Sequence, residues 1–170
     1  IPKDIQKATL EHYVYPDEPL LPGYHVRTSA PIEKAKQAWD LIKHSKRPLI
    51  YAGGGVINAD AADELFQFAT RTNIPVTTTL MGLGAFPETH PLSLLMLGMH
   101  GTVYANKAVQ ACDVLIAIGS RFDDRVTGKI SEFAPNAKII HADIDPSSIS
   151  KNVEVDVDLV ADAEGNVLIG

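Results

Sequence analysis

Cysteine is nearly missing from this chain of 170 residues. Cys112 stands alone, which excludes an internal disulfide and any multi-cysteine metal site. Positive charge is scarce as well: 15 Lys plus Arg against 21 Asp plus Glu leave a formal charge of −6. No broad basic face exists to release counterions from a phosphate backbone, so nucleic acid is not an expected partner. Long apolar runs are absent too, since stretches such as 114–118 fall far below the ~20 residues that a membrane span needs. No basic, apolar, small-residue signal opens the chain, and the expectation is a soluble intracellular protein without a membrane partner. Gly-x-Ser-x-Gly, His-Glu-x-x-His and Gly-x-x-x-x-Gly-Lys-Ser/Thr patterns do not occur, so no catalytic engine is recognisable. What is present is 45% apolar content at the size of one compact domain, enough to bury roughly two thirds of the unfolded surface. The first residue is Ile1, and the opening reads as a piece of something longer.

From His12 to Pro31 the chain carries Pro16, Pro19, Pro22 and Gly23 with little apolar periodicity, as a linker over a domain surface would. Residues 1–30 are therefore expected to be tail and linker, and 31–170 the folded unit. Ile32, Ala35, Trp39 and Ile42 recur at helical spacing as far as the basic stretch 43–47. An apolar run at 48–52 then ends in Gly53-Gly54-Gly55, and Ala62, Leu65, Phe66 and Ala69 form the stripe of a second helix. The same order repeats: a strand over 74–80 ends at Met81-Gly82-Leu83-Gly84, and a helix over 102–111 turns Val103, Ala108 and Ala111 inward. Runs at 113–118 and 137–144 read as strands buried on both faces, and 153–160 as a shorter, more polar one. Strands alternating with helices predict an α/β fold with a parallel sheet covered on both faces, with ligands outside the carboxyl ends of the strands.

The candidate chemistry lies at those ends. Gly53-Gly54-Gly55, between a strand and a helix, can turn backbone N–H groups and a helix N-terminus toward an anion, or can be a tight turn that needs glycine. Its spacing gives G-x-G-x-x-N with Asn58 in the third slot. No acidic residue ends a strand ~20 residues later, so the nicotinamide fingerprint is not met. In Gly119-Ser120-Arg121-Phe122-Asp123-Asp124-Arg125 two guanidinium groups flank two carboxylates; the loop can hold a phosphate or a polar ring edge, or can be a solvated ion-pair loop. His141, Asp143 and Asp145 alternate and so share one face. They suit a metal less well than Asp145 suits ribose hydroxyls at the strand exit, with Asp162 able to serve the same sugar or base. Met96-Leu97-Gly98-Met99-His100-Gly101 offers apolar side chains for a flat ring. A hydrogen-bonded structural role is the favoured reading of His100, ahead of a general base.

Together Ala52-Gly53-Gly54-Gly55, the 79–87 phrase Thr79-Leu80-Met81-Gly82-Leu83-Gly84-Ala85-Phe86-Pro87, Met96-Leu97-Gly98-Met99-His100-Gly101, Arg121-Phe122-Asp123-Asp124-Arg125-Val126-Thr127-Gly128 and Asp143-Ile144-Asp145-Pro146 resemble the central domain of acetohydroxyacid synthase, also called acetolactate synthase. The resemblance runs from Ile1 to about Asp162. It implies a three-layer α/β/α, Rossmann-like fold with a mostly parallel six-stranded sheet, of the DHS-like NAD/FAD-binding type. It implies FAD as the cofactor of this stretch, with thiamine diphosphate and Mg confined to the full-length parent. That parent decarboxylates pyruvate and joins it to a second 2-ketoacid in branched-chain amino-acid synthesis. The implied partners are flanking thiamine-diphosphate-binding domains and a second catalytic subunit. The implied location is cytoplasmic in a bacterium, and plastid or mitochondrion in a eukaryote.

Carried across position by position, the resemblance sets Gly53, Gly54 and Gly55 at the ribityl and diphosphate region of FAD. Thr79, Leu80 and Met81 fall near the ribityl chain and flavin, and Gly98, Met99 and His100 against the isoalloxazine. Gly119, Arg121, Asp123, Arg125 and Val126 line the other side, while Asp143, Ile144, Asp162 and Ala163 take the adenosine end. No catalytic or metal-ligating residue is implied. Ala142 departs from the isoleucine or valine common in the family, and Ala161-Asp162-Ala163 followed by Glu164-Gly165-Asn166 departs from its usual phrase, as an engineered or redesigned end would. The implied function is an FAD-binding module that does not itself carboligate. A redox flavoprotein and an empty scaffold are the alternatives.

Overall fold

The computed structural model describes residues 2–9, 12, 14–15 and 27–163. Most of the proline-rich linker and the 164–166 stretch lie outside the described residues. In chain order the elements are α1 (Lys3–Lys7), α2 (Ile32–His44), β1 (Pro48–Ala52), α3 (Gly54–Asn58), α4 (Ala62–Thr72), β2 (Val76–Thr78), β3 (Ser93–Met96), α5 (Val103–Ala111), β4 (Val114–Ile118), α6 (Asp124–Thr127), β5 (Lys138–Asp143) and β6 (Val157–Val160), with single 3-10 turns at Leu80–Gly82, Ile130–Glu132 and Pro146–Ser148.

The six strands form one sheet in the order β3-β2-β1-β4-β5-β6, and every pairing is parallel. Alternation along each central strand sends residues to two cores. Ile50, Ala52, Ile116, Ile118, Ile140 and Ala142 meet Ala38, Val56, Leu65 and Ala69 of α2, α3 and α4 on one face. Leu49, Tyr51, Leu115, Ala117 and Ile139 meet Ala105, Val109, Phe122 and Phe133 on the other. This is the three-layer, Rossmann-like arrangement expected from the sequence. Connections from β1 and from β4 leave on opposite faces, so a crevice opens between their carboxyl ends, the usual place for a ligand in such a sheet.

The helices sit one notch away from the expected stripes. Ile32 and Trp39 of α2 are exposed, and its inward face is Ala38 with Leu41 and Ile42. Small Ala38 brings the helix close to the sheet, and the flank is fixed by Lys34 Nζ donating to Asp158 Oδ1 of β6 at 2.6 Å. In α5 the buried residues are Ala105 and Val109, followed by Cys112, whereas Val103 and Ala111 face solvent. Thr102 explains the offset, because its hydroxyl caps the helix by accepting from the Ala105 amide at 3.2 Å, which fixes where the 3.6-residue period starts. Phe66 of α4 is likewise exposed beside buried Leu65 and Ala69. The strands expected over 74–80 and 153–160 are shorter, at Val76–Thr78 and Val157–Val160. β3, half-buried along its length, occupies an edge that apolar patterning alone did not mark.

Candidate functional site

The sheet's carboxyl edge is closed by glycine against glycine. Gly53 donates its amide to Ile118 O at 2.8 Å and Gly55 donates to Gly119 O at 3.0 Å. A Cβ on Gly53 would fall 2.1 Å from Gly119 O, and one on Gly55 would fall 2.6 Å from Gly119 Cα. Gly119 has φ +59, a conformation that glycine adopts without penalty. The sequence offered a choice between an anion cradle and a tight turn, and for Gly53 and Gly55 these contacts describe close backbone approach. Only Gly54 keeps its amide clear of these two carbonyls. A Cβ there would meet Met81 Cβ at 3.0 Å, which seats the first glycine turn beside the loop after β2.

Beside this seam lies a cavity of about 150 Å³ lined by Gly55, Asn58, Ala59, Gly119, Ala142, Asp143, Ile144, Asp162 and Ala163. Six of the expected site residues therefore meet in one place: Gly55, Gly119, Asp143, Ile144, Asp162 and Ala163. A drug-sized ligand fills a pocket of roughly 300–1,000 Å³, so a space of this size suits one end of a dinucleotide. Ala142, the trimmed side chain noted in the sequence, is part of the wall. Asn58 and Ala59 were not among the expected contacts, although Asn58 in the third slot of the glycine motif was the available signal.

Three acidic residues behave differently from one another. Asp143 is 9% exposed, and its Oδ1 accepts the Asp145 amide at 2.9 Å. Asp145, expected to take ribose hydroxyls, lies past the end of β5 and outside the cavity lining. Its carboxylate accepts from Ser147 N at 2.9 Å and from the Ser147 and Ser148 hydroxyls at 2.8 and 3.2 Å. Those Ser147 and Ser148 bonds hold its carboxyl below the usual range. Of the acidic residues at this edge, Asp143 and Asp162 line the cavity and Asp145 does not. His141 shares the Asp143 face as expected, Nε2 to Oδ2 being 3.8 Å. It is fully buried, with Nε2 2.7 Å from Ser120 O.

The remaining expected residues lie in three loops on the same edge, two of which touch. Thr79 Oγ1 accepts the Gly82 amide at 2.9 Å, leaving Leu80 and Met81 exposed beside the seam. The loop after β3 reaches the loop after β4 where Met99 N donates to Arg125 O at 3.3 Å, and Gly98 lies against Arg125 and Val126. Met99 is exposed. His100 is exposed with no hydrogen bond among the described residues, which corrects the expectation of a bonded structural histidine. Arg121 Nη2 lies 3.6 Å from Asp123 Oδ2 and Arg125 Nε lies 4.0 Å from Asp124 Oδ1, all four side chains more than half exposed. Hydrogen bonding with Asp124, then the Arg121 charge, holds the Asp123 carboxyl below its ordinary value. The ion-pair loop is anchored by Phe122, buried with φ +51 and packed on Tyr51, Phe133 and His141.

A family model described as "Thiamine pyrophosphate enzyme, central domain" matches residues 35–169. The chain belongs to this central-domain family. It is similar to the "Acetolactate synthase large subunit" of Corynebacterium glutamicum, 56% identical over 163 residues, covering 96% of this chain and 26% of that protein. It is also similar to the "Probable acetolactate synthase large subunit" of Methanocaldococcus jannaschii, 56% identical over 170 residues, covering 99% of this chain and 29% of that protein. The third is "Acetolactate synthase 1, chloroplastic" of Zea mays, 54% identical over 167 residues, covering 96% and 26%. The chain spans little more than a quarter of the length of these relatives. No helix among the described residues is long and apolar enough to cross a membrane.

Proposed function

We propose that this central domain is an FAD-holding module of an acetolactate synthase large subunit, with residues 31–170 as the module and 1–30 as a linker and the tail of a preceding pyrimidine-binding domain. The observation that carries the reading is the cavity beside the Gly55–Gly119 seam, which Asp143 and Asp162 line together with the two glycines. Two carboxylates at parallel strand ends accept the hydroxyls of a ribose, and a seam without side chains admits a diphosphate close to the backbone. Exposed Leu80, Met81 and Met99 give apolar contact to a flat ring. Within this fold the bound FAD supplies a flavin of structural use rather than net redox chemistry.

Decarboxylation and carboligation of 2-ketoacids belong, on this reading, to thiamine diphosphate and magnesium held outside these 170 residues. The chain alone makes no acetolactate. Its partners are the flanking thiamine-diphosphate-binding domains and a second catalytic subunit, in the cytoplasm of a bacterium or in a eukaryotic organelle. The test is release of any bound small molecule by heat and identification by mass, followed by titration with FAD and FMN under fluorescence quenching. FAD binding tighter than FMN supports the module; FMN binding tighter, or NAD in the released fraction, overturns it. Turnover of bound flavin by NADH would favour a redox flavoprotein, and a chain that binds neither flavin would be a scaffold.

A further inference from the structure

The turn Gly98–His100 is held by a side chain outside it. Asn106, on the first turns of α5, accepts the Gly98 amide on Oδ1 at 2.9 Å and donates Nδ2 to Gly98 O at 3.0 Å. The same Nδ2 donates to Thr102 O at 3.1 Å, tying the bracket to the start of the helix. One amide side chain thereby bonds both backbone polar groups of one residue, whose carbonyl also accepts the Gly101 amide at 3.0 Å. Gly98 needs such a hold, because its φ of +97 is a conformation few residues adopt, and its Cα faces Arg125 O and Val126 of the neighbouring loop. The next amide, that of Met99, bridges to Arg125 O.

We infer that Asn106 is a positioning residue for the flavin end of the site: it touches no ligand, but fixes the Gly98–His100 turn, and through Met99 its register with the Arg125 loop, before a flavin arrives. The inference rests on the FAD reading for its ligand, and on the bracket alone for the geometry. Only an amide does both jobs here, since an aspartate would set a carboxylate against two carbonyls, and an alanine would release the Gly98 amide and leave the carbonyl only its bond from Gly101.

The experiment compares Asn106→Ala with Thr102→Ala. The latter removes the cap of α5 and the hydroxyl bond to Leu94 O but leaves the bracket, so it is a destabilised control. Asn106→Ala is expected to weaken FAD and FMN by the same factor, about tenfold or more for two lost hydrogen bonds, and to leave ADP, which reaches only the adenosine end, unchanged. Thr102→Ala should leave all three ligands within about twofold. In the ligand-free chain, hydrogen exchange at the Gly98 amide should run about tenfold faster in Asn106→Ala than in Thr102→Ala or the unaltered chain. Loss of ADP in step with the flavins, or equal flavin losses in both variants, would overturn the inference. So would unchanged exchange at Gly98, whatever the ligands do. If the unaltered chain binds no flavin, the FAD reading fails by itself, and the exchange comparison still decides whether the bracket sets the turn.

Discussion

At the amino-terminal rim of the sheet two aspartates tie neighbouring connections together, whereas the carboxyl rim is built on glycine. Asp113 accepts the Lys46 and Arg47 amides at 2.8 and 2.9 Å before β4. Asp156 accepts Ile139 N and Lys138 Nζ, both at 2.8 Å, before β6. Opposite them, the strands end in glycines at 53, 82, 98 and 119, a buried phenylalanine in the left-handed region, and unpartnered hydroxyls on Thr78 and Ser120. One rim closes its polar groups for stability. The other gives up side chains at its glycines and leaves two buried hydroxyls unpartnered, features that often accompany a functional site.

The largest test of that contrast uses two glycines of similar positive φ, Gly119 at +59 and Gly128 at +56. A Cβ at Gly128 meets nothing within 4 Å, while one at Gly119 lies 2.6 Å from Gly55 Cα. Gly128→Ala should cost only the strain of its positive-φ conformation, about 1–3 kcal/mol. Gly119→Ala should add overpacking of backbone on backbone, for a total of about 3 kcal/mol or more. Urea unfolding of both variants reads the difference directly. Equal losses would mean that the seam can part.

Next in size is Asp143→Ala. If Asp143 accepts ribose hydroxyls as proposed, its removal should weaken FAD by about 1.5–3 kcal/mol, with FMN, which lacks the adenosine, nearly unaffected. Parallel titrations of the two flavins check it. A loss shared equally by both would place the carboxylate at the flavin end instead.

How far the site was legible in the sequence follows the same division. The parallel sheet, and the rim that gathers the candidate residues, were readable because parallel strands with helical crossovers put every glycine-terminated apolar run on one rim, as at Gly53 and Gly119. The roles of those glycines were not, since their amides bond to the carbonyls of strands far away in sequence. Asp145 looked as suitable for ribose as Asp143, and only the Ser147–Ser148 turn that takes its carboxylate tells them apart. The faces of α2 and α5 slipped because Trp39 and Val103 are apolar without being inward, and period alone does not say which apolar residue the sheet selects. β3 escaped patterning because it is a short edge strand, with Leu95 at φ +59. Asn106 carried no signal, being an ordinary polar position in a helix until Gly98 folds back on it.

On the closed rim, Asp113 makes the comparison sensitive to pH. Burial would raise its carboxyl, but the Lys46 and Arg47 amides more than offset that and hold it below its ordinary 3.8. A lowered folded value stabilises the protein above the unfolded value and loses that contribution as pH falls through the folded one. Asp113→Asn should therefore cost about 1 kcal/mol or less at neutral pH, given its exposure to solvent. The gap from the unaltered chain should narrow below about pH 4. Urea midpoints at pH 7, 5 and 3 follow it, and a gap that stays constant would remove Asp113 from the acid limb.

The smallest effect belongs to Arg125, on the open rim but outside the cavity. Its side chain is 79% exposed and its nearest carboxylate, on Asp124, is 4.0 Å away and equally exposed. A charge so placed is screened by water and salt, so Arg125→Ala should weaken FAD by less than about 1 kcal/mol. That loss should fade as salt is raised toward 1 M, where the screening length shrinks to about 3 Å. The backbone of the residue has a separate use, because Arg125 O receives the Met99 amide and survives the substitution. Dissociation constants at low and high salt separate the two. If Arg125→Ala instead abolishes binding while Asp143→Ala spares it, the ligand lies over the ion-pair loop rather than along the Gly55–Gly119 seam, and the open rim is being used at its outer edge.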